Sequence, residues 1–126
     1  MEKAAIYIRT NTGDDLPSRE KQRAGIEAHA GASGYEIVAG YEDLEAPGEF
    51  LYHKPSLREA INNIKELEEW EVLVSADPRC FSETESALHE LAHKFSLYGN
   101  RLECPNKSWE EFESEMKSYR REMSGR

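Results

Sequence analysis

Ala4-Ala5-Ile6-Tyr7-Ile8, stopped by Arg9 and followed by Thr10-Asn11-Thr12-Gly13-Asp14-Asp15, is the stretch on which the fold turns. A short, unbroken apolar run that ends in a polar loop reads as a buried strand. From about Pro17 to Ala32 the residues Ala24, Ile26, Ala28 and Ala30 stand among good helix formers, and Gly34 closes the run. That predicts a helix with a small-residue face. Tyr35-Glu36-Ile37-Val38-Ala39-Gly40-Tyr41 predicts a second strand, ended by the acidic Glu42-Asp43-Leu44-Glu45 and by Pro47-Gly48.

In the next helix Leu57, Ala60, Ile61, Ile64 and Leu67 recur at three and four residues, and Ser56 with Glu59 makes a capping box. Trp70 to Ser75 predicts a third strand. Ser82 with Glu85 forms a second capping box before Ala87, Leu88, Leu91, Ala92 and Phe95, and Gly99-Asn100 stops that helix. A short strand around Leu102 leads to Ser108 with Glu111, a third capping box. The last helix spaces Trp109, Phe112, Met116, Tyr119 and Met123 by three and four, with Lys117, Arg120 and Arg121 late, as the helix dipole favours. Strand and helix alternate four times, so the expected fold is α/β in three layers: a central, mostly parallel sheet of four or five strands flanked by helices. Residues 1–107 would form the body and residues 108–126 a C-terminal amphipathic helix.

The chain has 126 residues, 38% of them hydrophobic, enough for one domain with a modest core. Sixteen Lys and Arg against 25 Asp and Glu leave a net charge of −9, which repels nucleic acid and anionic lipid. DNA binding is therefore expected to be weak or absent. Met1-Glu2-Lys3-Ala4-Ala5-Ile6 is too short an apolar run for a secretion signal, and no uncharged stretch approaches the roughly 20 residues that span a bilayer. A soluble, cytoplasmic protein without membrane partners is expected. Cys80 and Cys104 read as two reduced thiols, and nothing in the pattern calls for a cofactor.

Ligands of an open parallel sheet bind beyond the carboxyl ends of its strands. Those ends present Arg9 and Asn11, then Asp43, then Asp77, Arg79 and Cys80. Such a cluster holds a phosphate or forms a surface ion-pair network, and spacing alone leaves both open.

These residues resemble a family. Tyr7-Ile8-Arg9-Thr10-Asn11-Thr12 is similar to the opening Tyr-x-Arg-x-Ser-Thr of the serine recombinases, the resolvase and invertase family. Ser18-Arg19-Glu20-Lys21-Gln22 resembles its Ser-x-x-x-Gln helix start, and Gly34 to Val38 with Tyr41-Glu42-Asp43 its second strand and acidic turn. His53-Lys54-Pro55 is similar to its Arg-Pro, and Asp77-Pro78-Arg79-Cys80-Phe81-Ser82-Glu83 to its Asp-Pro-Asp-Arg-Leu-Ser-Arg. The pieces occur in order over about residues 3–104.

The resemblance implies a resolvase-like catalytic domain related to site-specific DNA recombination. In that family a serine hydroxyl attacks a phosphodiester while arginines neutralise the growing charge. It also implies candidate site residues Arg9, Asn11, Gln22, Asp43, Lys54 and Arg79, with Tyr7 orienting the site. Asn11 stands where the serine belongs, Lys54 replaces an arginine, and in the register anchored on Asp77-Pro78 Cys80 and Glu83 replace two more. A slip of one residue would let Arg79 serve instead. Thr10, Thr12 and Ser75 are poor substitutes for the lost hydroxyl, because a displaced side chain faces elsewhere. The expected protein does not cleave DNA and acts through association. Its partners would be a second copy, engaged through the C-terminal helix, or a full-length recombinase. An active or partly active recombinase fragment is the alternative.

A further pattern, His89-Glu90-Leu91-Ala92-His93, resembles the zinc-binding helix of metallopeptidases. Lys94 is charged where that family prefers an uncharged residue, and a third ligand would have to be Glu103 or Glu111. Exposed helix histidines are the expected state. Recombinases continue through a long helix into a DNA-binding region, whereas this sequence ends at Arg126, so a groove-reading segment is not expected.

Overall fold

The computed structural model describes residues 1–11, 16–44, 54–66 and 69–124. Four strands, β1 (Lys3–Arg9), β2 (Glu36–Asp43), β3 (Val72–Val74) and β4 (Arg101–Glu103), form one parallel sheet in the order β2-β1-β3-β4. Five helices join them: α1 (Arg19–Ser33), α2 (Pro55–Glu66), α3 (Pro78–Phe81), α4 (Glu85–Leu97) and α5 (Trp109–Ser124). The α/β expectation is met, with four strands among the described residues.

The period of two divides β1 between two cores. Ala5 and Tyr7 join Leu73 and Leu102 under α2, α4 and α5, whereas Ala4, Ile6 and Ile8 join Val72 and Val74 around Ile26 of α1. This is why the first apolar run does not alternate: both faces of β1 are covered. On α1 the buried residues are Gln22, Ile26 and Ala30, four apart, and the helix stops at Gly34, whose φ of 75° suits a residue without Cβ.

Two details differ from the sequence expectation. The box of Ser56 and Glu59 does not start α2. That helix begins at Pro55, and the Ser56 N–H donates to Asp43 Oδ1 at 2.8 Å, a cap supplied across the fold by β2. Ser82 does not cap α4 either, because α3 intervenes and ends at it; Thr84 is the N-cap and donates its N–H to Ser82 Oγ at 3.2 Å. The third box does form, with the Glu111 N–H on Ser108 Oγ and the Ser108 N–H on Glu111 Oε1, both at 3.2 Å. Leu67 lies outside the described residues.

The apolar seam of α5, expected as a contact between copies, is filled in part within the chain. Phe112 and Met116 are buried in the core of their own domain, Trp109 packs against it, and Met123 stays exposed. Leu91, Ala92 and Phe95 of α4 and Leu102 of β4 already present an apolar surface there, so burial within the chain removes Phe112 and Met116 from water without a second copy. No helix among the described residues is long and apolar enough to cross a membrane.

Candidate functional site

Arg9 ends β1 and is fully buried. A guanidinium out of water must place its donors on protein acceptors. Its Nε donates to Cys80 O at 3.0 Å and its Nη2 to Arg79 O at 2.6 Å, which ties β1 to α3. Nη2 also lies 3.7 Å from Glu83 Oε1. Gln22 of α1 clamps the Arg9 backbone: its Oε1 accepts from Arg9 N at 3.2 Å, and its Nε2 donates to Arg9 O at 2.8 Å and Pro17 O at 2.9 Å.

Asp43 closes β2 next to this clamp. Its Oδ1 accepts from Ser56 N, and its Oδ2 accepts from Leu57 N at 3.0 Å and from the Tyr7 hydroxyl at 2.8 Å. The carboxylate sits at the positive end of α2, where backbone N–H groups otherwise lack partners. Burial, and then Asp43 itself, hold the Tyr7 phenol far above its ordinary pKa. Lys54, directly ahead of α2, is fully buried too. Burial and the charge of Arg9 push its ammonium down to about 8, while Asp43 and Glu83 act in the opposite direction.

Asn11 follows β1. Its Nδ2 donates to Glu83 Oε1 at 3.4 Å, and its Oδ1 is buried with no donor among the described residues. Turning the carboxamide round would set its oxygen against a carboxylate, so Glu83 decides the orientation. Arg79 faces outward, with Nε 3.4 Å from Asp77 Oδ1, and its side chain is 54% exposed. Cys80 faces inward, its thiol donating to Gln22 Oε1 at 3.4 Å.

The structure thus brings Arg9, Asn11, Gln22, Asp43 and Lys54 together at the carboxyl ends of β1 and β2 and leaves Arg79 at the rim. Thr10 donates its N–H to Asp43 O at 3.2 Å. The Ser75 hydroxyl donates to Asp77 O at 2.9 Å and lies 3.2 Å from Cys104 Sγ. Thr12 and His53 lie outside the described residues. Sequence reasoning missed the joint hold of Glu83 on Arg9 and Asn11, which spacing of more than 70 residues does not signal. It also missed α3, although Asp77 as N-cap and Pro78 at the first turn were visible marks of a helix start.

His89 and His93 lie elsewhere. His89 is buried, expected exposed, because it stacks on Tyr119 with ring centroids 4.6 Å apart; its Nε2 is 3.2 Å from Glu85 Oε1. Burial, then Arg120 and Lys94, lower the His93 pKa. Neither proposed third ligand is disengaged: Glu103 holds His29 at 2.6 Å and Tyr35, and Glu111 holds Ser108. Among the described residues no three His, Cys, Asp or Glu side chains are grouped to hold a metal ion.

A buried arginine at the end of the first strand, its glutamine clamp and the acidic helix cap thus lie side by side. The family model of the resolvase N-terminal domain matches residues 4–124. The chain belongs to the resolvase family. Solved structures agree in fold. The N-terminal catalytic domain of TP901-1 integrase superposes with a TM-score of 0.76 at 20% identity, over 97% of this chain and 98% of that one. A resolvase family site-specific recombinase from Streptococcus pneumoniae gives 0.73 at 19% identity, over 99% and 90%. The C-terminal catalytic domain of ISC1926 TnpA, an IS607-like serine recombinase, gives 0.70 at 20% identity, over 98% and 83%. No curated protein matches the chain.

Two opposing trends predict a stability maximum in alkaline solution for this resolvase-family domain. Burial pushes the Cys80 thiol up to about 11 and the Cys104 thiol up to about 12, from an ordinary 9.0. Their contribution is fully present below pH 9.0 and is lost as pH rises through those folded values. Lys54 has the opposite sign, because its folded value of about 8 lies below 10.5; its charge destabilises fully below the folded value and progressively less up to the unfolded one. Urea midpoints are expected to rise above pH 8, peak about pH 9 and then fall. Lys54→Met should flatten the rise and Cys80→Ala with Cys104→Ala the fall; a wild-type midpoint still climbing beyond pH 10.5 would contradict the assignment.

Proposed function

We propose that this resolvase-family domain does not cleave DNA and acts through protein association. The observation that supports this most directly is Asn11. A carboxamide lacks the hydroxyl needed to open a phosphodiester, and its Nδ2 is held by Glu83, whose carboxylate also pairs with Arg9. Around it Lys54, Cys80 and Glu83 stand where the resemblance calls for arginines, so the charge that grows on a phosphoryl group would meet one carboxylate and lose planar donors. Weak or absent DNA binding follows from the net charge of −9.

The partner in this reading is a second copy or a full-length recombinase. With Phe112 and Met116 in the core, the part of α5 left for it is the exposed end that carries Met123. Within the C-terminal segment, α5 then acts as a helix fastened to the body at its first turns and open to a partner at its last. The alternative, an active or partly active recombinase fragment, draws on the retained framework of Tyr7, Arg9, Gln22 and Asp43.

Purified protein incubated with supercoiled DNA separates the two. No covalent protein–DNA adduct is expected from the wild type or from Asn11→Ser, because loss of one stabilising donor typically slows such chemistry about 100-fold or more, and several are lost here. A wild-type adduct would establish the active fragment. An adduct from Asn11→Ser alone would show that the remaining cations suffice.

A further inference from the structure

Arg9 and Asn11 meet through Glu83 at the end of β1, and Lys54, ahead of α2, feels the charges of both Arg9 and Glu83. Arg9 and Lys54 are fully buried cations, and Asn11 contributes an amide N–H. Buried cations are costly unless a negative group answers them. Asp43 is committed to the α2 N-terminus and Tyr7, with three donors on its two oxygens. Glu83 is placed differently: one oxygen, Oε1, faces both Arg9 Nη2 and Asn11 Nδ2, while the side chain remains 30% exposed. It stands between Ser82, which ends α3, and Thr84, which caps α4.

We infer that Glu83 is a built-in anion that fills an oxyanion site formed by Arg9, Asn11 and Lys54, and that moving it aside opens that site to inorganic phosphate. The inference rests on the non-cleaving reading above, and adds what occupies the site in place of a phosphodiester. Two features fit phosphate. Hydrogenphosphate has the charge to replace a carboxylate between two cations. Its P–OH can also donate to Asn11 Oδ1, the buried oxygen that has no donor among the described residues and that a carboxylate cannot serve. The Lys54 ammonium reports on the same space, since Glu83 is one of the two acids that raise its pKa against burial.

Calorimetric titration of inorganic phosphate at low ionic strength tests this, with the full chain as wild type, Glu83→Gln and Glu83→Ala. Removing one carboxylate from beside two cations should tighten phosphate binding at least about tenfold in both variants. Equal affinity in wild type and variants would overturn the inference. A second measurement follows the Lys54 Nζ resonance, which in the wild type should not move at a phosphate concentration that half-saturates Glu83→Gln. If it moves, Glu83 does not fill the site. In Glu83→Gln the Lys54 pKa should fall below its wild-type value and rise again with phosphate; an unchanged value would also refute the placement. DNA cleavage by the wild type would refute the functional reading without touching these titrations, so the two failures are distinguishable.

Discussion

Phe112→Glu combined with Met116→Glu is expected to unfold the domain outright, with loss of the cooperative thermal transition and of near-ultraviolet dichroism. Phe112 packs edge-on to Phe81 with centroids 6.1 Å apart, and the Lys107 ammonium lies 4.9 Å over its ring. Met116 is buried in the same core. Truncating a buried Phe or Met costs about 2–5 kcal/mol each, and an unpaired buried carboxylate adds several more. Against a typical total stability of about 5–15 kcal/mol, the pair exceeds what the domain can lose. A variant that keeps a native spectrum and changes only its sedimentation would place the seam between copies instead.

Asp43→Ala is expected to destabilise the domain by about 3–5 kcal/mol, measured by urea denaturation, because one change strands three donors. Ser56 N, Leu57 N and the Tyr7 hydroxyl all lose their acceptor in a buried setting. Tyr7→Phe removes one stranded donor beforehand, so in that background the cost of Asp43→Ala should shrink by about 1–2 kcal/mol. Strict additivity of the two changes would mean that Asp43 caps α2 without a working link to β1. Asp43 therefore joins fold and site: the carboxylate that starts α2 also anchors β1 beside Arg9.

The sequence by itself determined the layered α/β fold, the order along the chain of its strands and of every helix but the short α3, and the stops at Gly34 and Gly99, because these depend on periodicities and local backbone preferences within a few residues. It also determined that Asn11 supplies no hydroxyl. Family resemblance brought Arg9, Gln22 and Asp43 together on paper, and the fold does bring them together. Only the tertiary structure decided which partner each polar group takes. Ser56 reads as a helix cap until Asp43, 13 residues earlier, is found at the helix start, and Glu83 reads as a repulsive charge until Arg9 and Asn11, more than 70 residues earlier, are found against it. The α5 seam follows the same rule. Heptad-like spacing states that one face must leave water, but whether it meets α4 or a second copy depends on which apolar surface the folded chain offers first.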